Sequence, residues 1–110
     1  VAHRARDYLY AHIGENVGLS DLARETGIDR FTLTRCFKRE FHLAPHAWLI
    51  QLRLAKARQM LACGELPVDV AAAVGFADQS HLGRWFQRAY RISPAHYRRL
   101  CTNLPDVSRK

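Results

Sequence analysis

Apolar residues recur at steps of three and four along most of the chain, a spacing that places them on one side of an α-helix. No alternation typical of a β-strand persists for more than a few residues, and glycine and proline lie at the edges of the periodic segments. The clearest stripe follows Pro45 and comprises Ala47, Ile50, Leu54, Ala57 and Leu61. The pattern predicts an all-α fold.

Capping residues divide the periodic segments into seven predicted helices. These helices span about 2–13, 21–26, 30–41, 45–63, 68–74, 79–90 and 94–100. Ser20, Asp29 and Asp78 are the predicted N-caps, because a side-chain oxygen there can accept a hydrogen bond from a free amide of the first turn. Gly27 and Gly75 are predicted to end the two short helices, since glycine readily adopts the left-handed conformation of a helix C-cap.

A segment in the first half of the chain is repeated in the second half. The earlier copy, from Gly27, reads GIDRFTLTRCFKREF, and the later copy, from Gly75, reads GFADQSHLGRWFQRAY. The spacing is 48 residues at first and 49 after one insertion. The matched residues at the longer spacing are Asp29, Leu33, Arg35, Phe37, Arg39 and Pro45 with Asp78, Leu82, Arg84, Phe86, Arg88 and Pro94. Two units are too few for a solenoid, so two copies of one small module are predicted.

Each copy has a short helix, a tight turn with glycine and a longer helix, which is the pattern of a helix-turn-helix module. In the first copy the predicted core that holds the two helices together is Leu22, Ala23, Ile28, Leu33 and Phe37. We therefore predict a first module over residues 1–44, a long linker helix over 45–64, a second module over 65–100 and a tail over 101–110.

The second helix of each module has an outward face that follows from about 100° of rotation per residue. In the first copy this face carries Phe31, Thr32, Arg35, Lys38 and Arg39, with Thr34 at its border. In the second copy it carries Ser80, His81, Arg84, Gln87 and Arg88. Such groups can bind base edges and phosphates in a major groove. Because Arg35 and Arg84 recur at the same position, a binding role is favoured over simple solvation.

Composition supports a polyanionic partner. The 110 residues include 17 Lys and Arg against 10 Asp and Glu, which gives a net charge of +7. Nucleic acid is the first candidate and an anionic membrane surface the second. Hydrophobic residues make up 48% of the chain, which favours a folded globule over a disordered tail. No apolar run approaches the roughly 18 residues needed to span a membrane.

Other kinds of site have little support. Cys36, Cys63 and Cys101 are odd in number and widely spaced, which argues against a disulfide framework or zinc site and fits a reducing cytoplasm. No metal site is expected at His81, nor at His42 and His46. The carboxylates are scattered, so no catalytic residue and no cofactor is predicted.

A helical protein-interaction module is a rival to DNA binding. It would bind its partner through Phe31 and Trp85 and ignore DNA. An enzyme is the rival from another class, without a cluster of residues to support it.

The second half of the chain resembles the DNA-binding domain of the AraC/XylS family of bacterial transcription regulators. The similar stretch is AAAVGFADQSHLGRWFQRAYRISPAHYRR, and the signature residues in place are Ala71, Gly75, Phe76, Ser80, Arg84, Phe86, Ser93, Pro94, Tyr97 and Arg98. In the first half, LSDLARETGIDRFTLTRCFKREF is similar to the first module of the family, and AWLIQLRLAKARQML is similar to its linker helix, including Arg53 and Ala57. The resemblance covers about residues 3–100.

The resemblance implies a seven-helix domain whose two helix-turn-helix modules are joined by a rigid linker helix. It also implies that the two recognition helices enter successive major grooves on one face of double-stranded DNA. It implies base contacts by Phe31, Thr34 and Arg35 in the first groove and by Gln79, Ser80 and Arg84 in the second. Phosphate contacts are expected from Lys38, Arg39, Gln87 and Arg88. Gly83 offers no side chain, so the second helix is expected to read fewer bases than the first.

The family also implies partners beyond DNA. An activator that contacts RNA polymerase is the expected kind of regulator, working in the cytoplasm. Family members usually carry a separate effector-binding or dimerisation domain. No effector pocket is evident in these residues, so we expect that domain in the N-terminal part of the full protein, the alternative being that this member works alone.

The chain departs from the family pattern at a few positions. His42 and Arg91 stand where a glycine commonly follows each recognition helix, so both are expected to adopt a left-handed backbone. Leu82 stands where phenylalanine is frequent, and Gln87 where lysine or arginine is frequent, which makes Gln87 a weaker phosphate contact.

Overall fold

Seven α-helices and no β-strand make up the part of the chain that the structure, a computed structural model, describes, residues 1–103. The helices are α1 (Ala2–Ala11), α2 (Leu19–Thr26), α3 (Arg30–Phe41), α4 (Pro45–Ala62), α5 (Pro67–Val74), α6 (Gln79–Tyr90) and α7 (Pro94–Asn103). The predicted all-α class and the seven helices are confirmed.

Five predicted helix ends differ from the structure by one to three residues, those of α1, α4 and α7 at the C-terminus and those of α2 and α5 at the N-terminus. Ser20 is not an N-cap, because α2 begins one residue before it and Gly18 is the capping residue. The Gly18 amide donates a hydrogen bond of 2.9 Å to Oδ2 of Asp21, so the carboxylate of the first turn closes the helix start. At the other end of the chain α7 continues through Cys101 to Asn103, three residues into the predicted tail, and positions 104–110 of that tail lie outside the described residues.

The chain divides into two compact units between Arg53 and Leu54, inside α4. Unit 1 contains α1, α2, α3 and the first part of α4, and unit 2 contains the rest of α4 with α5, α6 and α7. Each unit therefore holds one complete helix-turn-helix pair, α2–α3 in the first and α5–α6 in the second.

Unit 1 is built around a single apolar cluster to which all its helices contribute. Its fully buried large side chains are Leu9, Leu22, Leu33, Phe37 and Leu49, and Ile28 packs against them half-buried. The cluster confirms Leu22, Leu33 and Phe37 as core residues of the first module. Burial of four-residue neighbours on α3 fixes the rotation of that helix about its axis.

Unit 2 repeats this arrangement with its own side chains. Leu82 and Phe86 of α6 are fully buried, as are Val70 and Val74 of α5. The ring of Phe86 lies 5.7 Å from the ring of Tyr97 in α7, measured between centroids. The second recognition helix is thus held by the same spacing of apolar residues as the first.

Helix α4 buries two different sets of residues. Ile50, Leu54, Ala57 and Leu61 are buried as the sequence pattern predicted, but Ala47 is exposed. Leu49 is buried in its place, within the cluster of unit 1. The predicted stripe is therefore wrong at its N-terminal end, where Leu49 rather than Ala47 packs into the apolar cluster of unit 1.

Arg53 joins α4 to the segment that follows α1. Its side chain is only 6% exposed, and Nε donates to the carbonyl oxygen of Ile13 at 3.0 Å while Nη2 donates to that of Glu15 at 2.8 Å. Burial lowers the pKa of the guanidinium from its ordinary value. The loop that leads from α1 to α2 is thus held by a charged donor from another helix.

Both recognition helices end at a non-glycine residue in the left-handed conformation, as the sequence predicted. His42 has φ 65° and Arg91 has φ 62°, and their amides donate to the carbonyl oxygens of Lys38 and Gln87. The shorter helix α2 ends on Gly27 with φ 72°, where the conformation carries no penalty. His42 and Arg91 therefore hold backbone strain of the kind that glycine avoids.

Replacing the two strained residues with glycine is expected to stabilise the protein. His42→Gly and Arg91→Gly should each raise the free energy of unfolding by about 0.5–1 kcal/mol, because relief of left-handed strain exceeds the added entropy of the unfolded chain. Gly27→Ala is the matched control and should lower the free energy of unfolding, since a β-carbon there meets open space and adds only strain. Urea titration measures the free energy of unfolding of all three variants. An unchanged or lower free energy of unfolding in both His42→Gly and Arg91→Gly would show that these residues are not strained.

Removal of the Arg53 side chain is expected to destabilise unit 1. Arg53→Met should lower the free energy of unfolding by about 2 kcal/mol, because two carbonyl oxygens lose a charged donor. Lys56→Met, on the exposed side of the same helix, is the control and should change it by less than about 0.5 kcal/mol. Similar losses in the two variants would show that the hydrogen bonds of Arg53 contribute nothing particular.

Candidate nucleic-acid interface

Each recognition helix begins at an aspartate whose carboxylate accepts from the third residue after it. Asp29 accepts from the Thr32 amide and from the Thr32 hydroxyl, both at 2.9 Å. Asp78 accepts from the His81 amide at 2.7 Å. Both predicted N-caps are confirmed, and the first residues of each recognition helix are held in a fixed conformation.

Two of the predicted outward residues also make contacts within their own unit. The hydroxyl of Thr32 is occupied by Asp29, and the ring of His81 stands edge-on to Phe76, with centroids 5.3 Å apart. Nε1 of Trp85 donates to Nε2 of His81 at 3.1 Å. Thr32 and His81 are both half-buried, and their place on the outward face stays a prediction. Helical rotation alone did not indicate these local hydrogen bonds and ring contacts.

The outward face of α3 carries an exposed aromatic ring beside cations. Phe31 is 71% exposed, and the guanidinium carbon of Arg35 lies 5.6 Å from the centroid of its ring. Lys38 and Arg39 are exposed further along the helix. Thr34 is half-buried at the border of this face, where it also lines a cavity described below.

The outward face of α6 is more polar. Its exposed predicted contacts are Gln79, Ser80, Arg84, Gln87 and Arg88. The guanidinium carbon of Arg88 lies 5.1 Å from the centroid of Trp85, so here the stacked cation is one of the predicted phosphate contacts. Within each unit the structure thus brings the predicted contacts together on one helix face.

The cations of these faces are available to an anionic partner. Among the described residues the ion pairs formed by arginine are Arg6 with Asp7 and Arg24 with Asp21, both away from the two recognition helices. In that part of the chain no carboxylate lies in salt-bridge range of the five cationic contacts, which are Arg35, Lys38, Arg39, Arg84 and Arg88. Their charge is therefore not neutralised within the described residues.

Unit 1 also contains an apolar cavity of about 240 Å³ that sequence reasoning missed. It is lined by Leu9, Val17, Leu22 and Leu49 among others, with Thr34 from the recognition helix. The residues come from four helices and the loop before α2, so no local sequence pattern could have indicated it. Within residues 1–103 no group of three or more His, Cys, Asp or Glu side chains could hold a metal ion, and no helix could cross a membrane.

Comparison with known proteins agrees with this geometry. A family model described as a helix-turn-helix domain matches residues 22–100, which run from within α2 through the whole second helix pair. The chain belongs to the AraC/XylS family. Its relatives in that family include the transcriptional activator RhaS of Escherichia coli strain SE11, which is 34% identical over 92 residues, 83% of this chain and 33% of RhaS. The chain spans about a quarter to a third of the length of the curated relatives it matches.

Solved structures of AraC-type domains have the same fold. The C-terminal domain of AraT, a response regulator from Geobacillus stearothermophilus, matches with a TM-score of 0.84 and 30% identity, over 90% of this chain and 84% of that one. The DNA-binding domain of AdpA, solved in complex with a target DNA, matches with a TM-score of 0.84 and 28% identity, over 90% of each chain.

The cap of α3 gives a pH-dependent prediction. Hydrogen bonds from the Thr32 amide and hydroxyl lower the pKa of Asp29 below its ordinary value of 3.8. A lowered carboxyl pKa contributes stability above the unfolded-state value, and this stability is lost as the pH falls through the folded-state value. Asp29→Ala should therefore lower the melting temperature at pH 7 by more than it does well below pH 3.8.

The control for this prediction is Glu25→Gln, at an exposed carboxylate of α2. It should change the melting temperature little at either pH. An Asp29→Ala effect of equal size at both pH values would contradict the role of the ionised cap.

Proposed function

We propose that this chain is the DNA-binding part of a bacterial transcription regulator and binds specific sequences of double-stranded DNA. The observation that carries the proposal is the repeated position of an exposed arginine. Arg35 and Arg84 each lie between a buried leucine and a buried phenylalanine, on the second helix of a helix-turn-helix pair. Membership of the AraC/XylS family and the AdpA–DNA complex support the same function.

The proposed base contacts follow from the chemistry of each side chain. Arginine can donate two hydrogen bonds to guanine, glutamine pairs with adenine, and a phenyl ring packs on the methyl group of thymine. The residues assigned to bases are Phe31, Thr34 and Arg35 on α3 and Gln79, Ser80 and Arg84 on α6. Lys38, Arg39, Gln87 and Arg88 are assigned to phosphates, where the neutral Gln87 would contribute least.

Two recognition helices in one chain favour an asymmetric target. We propose that α3 and α6 enter successive major grooves, about one helical turn of DNA apart. The faces differ, since α3 offers Phe31 where α6 offers Ser80. One molecule would then recognise two unlike elements, and palindromic DNA would not be required.

The proposed biological role is that of a regulator, rather than an enzyme, that acts on bacterial DNA in the cytoplasm. Relatives named as activators, RhaS and NphR, favour activation and with it a contact to RNA polymerase. The full protein would carry an effector-binding or dimerisation domain before this one, because its relatives are three to four times as long as the matched part.

Selection from a random-sequence pool of duplex DNA tests the proposal. We expect an enriched motif with two elements about one helical turn apart. The logarithm of the affinity should fall with the logarithm of the salt concentration with a slope of about −2.7 or steeper, because Lys38, Arg39 and Arg88 alone would release three sets of counterions. Binding that enriches no motif and does not respond to salt would overturn the proposal and favour a protein partner bound through Phe31.

The two arginines are expected to discriminate between sequences. Arg35→Ala and Arg84→Ala should each weaken binding to the selected site by about 1–3 kcal/mol and weaken binding to a random-sequence duplex much less. Lys38→Ala is the comparison, since loss of a phosphate contact should weaken binding to both duplexes alike. Fluorescence anisotropy measures these affinities, and equal losses on the two duplexes would show that the arginines contact only phosphates.

A further inference from the structure

Gly83 lies in the interior of the recognition helix α6, where glycine is a poor choice for helix stability. Its backbone is not in the left-handed region, so its conformation does not require glycine. A β-carbon built on Gly83 would also have no heavy atom of another described part of the chain within 4 Å. Packing of the described residues therefore gives no reason for the missing side chain.

A groove of about 310 Å³ opens beside this glycine. One wall is formed by Gln79, Ser80 and Gly83 of α6, and the other by Ser93, Pro94 and Ala95 at the start of α7. Oγ of Ser93 accepts a hydrogen bond from the amide of His96 at 3.1 Å, which leaves the Ser93 hydroxyl hydrogen free to donate elsewhere. The groove thus offers, in Ser93, a hydroxyl donor that is not among the proposed base contacts.

The equivalent position in unit 1 has a different environment. There Thr34 carries a side chain, and it borders both the apolar cavity beside Leu22 and an open groove beside Phe31 and Arg35. Open space therefore lies beside this position in both units, and the difference is the side chain that Thr34 has and Gly83 lacks. Of the two recognition helices, only α6 has no side chain at this position.

We propose that one sugar–phosphate strand of bound DNA lies in this groove and approaches the α6 backbone at Gly83 more closely than a β-carbon would allow. The inference rests on the proposed DNA binding. Close approach to backbone is a known use of glycine, and the free hydroxyl hydrogen of Ser93 on the opposite wall can donate to a phosphate oxygen. Gly83 would then be a positioning residue that sets how deeply the second recognition helix enters its groove.

The test compares side chains of increasing size at Gly83. Gly83→Ala should raise the melting temperature by roughly 3–6 °C, because alanine favours the helix, and should still weaken binding to a random-sequence duplex. Gly83→Leu should weaken that binding by roughly tenfold or more. Ala89→Leu, which adds bulk at another exposed position of α6, is the control and should leave the affinity unchanged.

The outcomes separate this inference from the proposed function. A raised melting temperature with unchanged affinity in both Gly83 variants would overturn the close approach and leave DNA binding standing. A loss of affinity for the selected site alone, with full affinity for random duplexes, would overturn the proposal that a sugar–phosphate strand lies against Gly83. It would indicate that base edges lie there instead. Failure of the unsubstituted protein to bind any duplex would overturn both proposals.

Discussion

Burial of an apolar pair four residues apart determines what each recognition helix presents to its surroundings. Leu33 and Phe37 on α3, and Leu82 and Phe86 on α6, are fully buried. Residues at this spacing lie on one side of a helix, so their burial leaves no freedom of rotation. The residue midway between them is consequently turned outward, which is why an exposed arginine occupies that position in both units. Without this burial the helix could rotate about its axis, and different residues would face outward.

The ends of the recognition helices are set by equally local interactions. An aspartate starts each helix and a left-handed residue stops it, and each helix is 12 residues long. Arg91 places a cation directly beyond the C-terminus of α6, where the carbonyl end of the helix dipole is negative. A cation is favoured at that end of a helix, which gives a physical reason for arginine at a position where glycine would avoid the backbone strain.

Much of this fold could be predicted because the signals are short-range. Asp29 and Asp78 were predictable as caps, since the accepting side chain and the donating amide are three residues apart. The prediction of Ser20 as an N-cap was wrong because the Asp21 carboxylate accepts from the Gly18 amide, so the helix begins two residues earlier. Gly18 and Ser20 are both acceptable N-caps, and the sequence alone does not decide between them. Helical periodicity alone did not indicate the contact of the His81 ring with Phe76 or the cavity beside Thr34, because both depend on partners outside the recognition helix.

Stacking of Arg35 on Phe31 has an entropic consequence. An arginine side chain normally loses rotational freedom when it is fixed against a partner, which opposes association. In α3 the ring already restricts the guanidinium, so less freedom is left to lose on binding. In α6 the restricted cation is Arg88, over Trp85, and not Arg84. In the proposed complex, preorganisation would therefore favour base recognition in the first unit and attachment to the DNA backbone in the second.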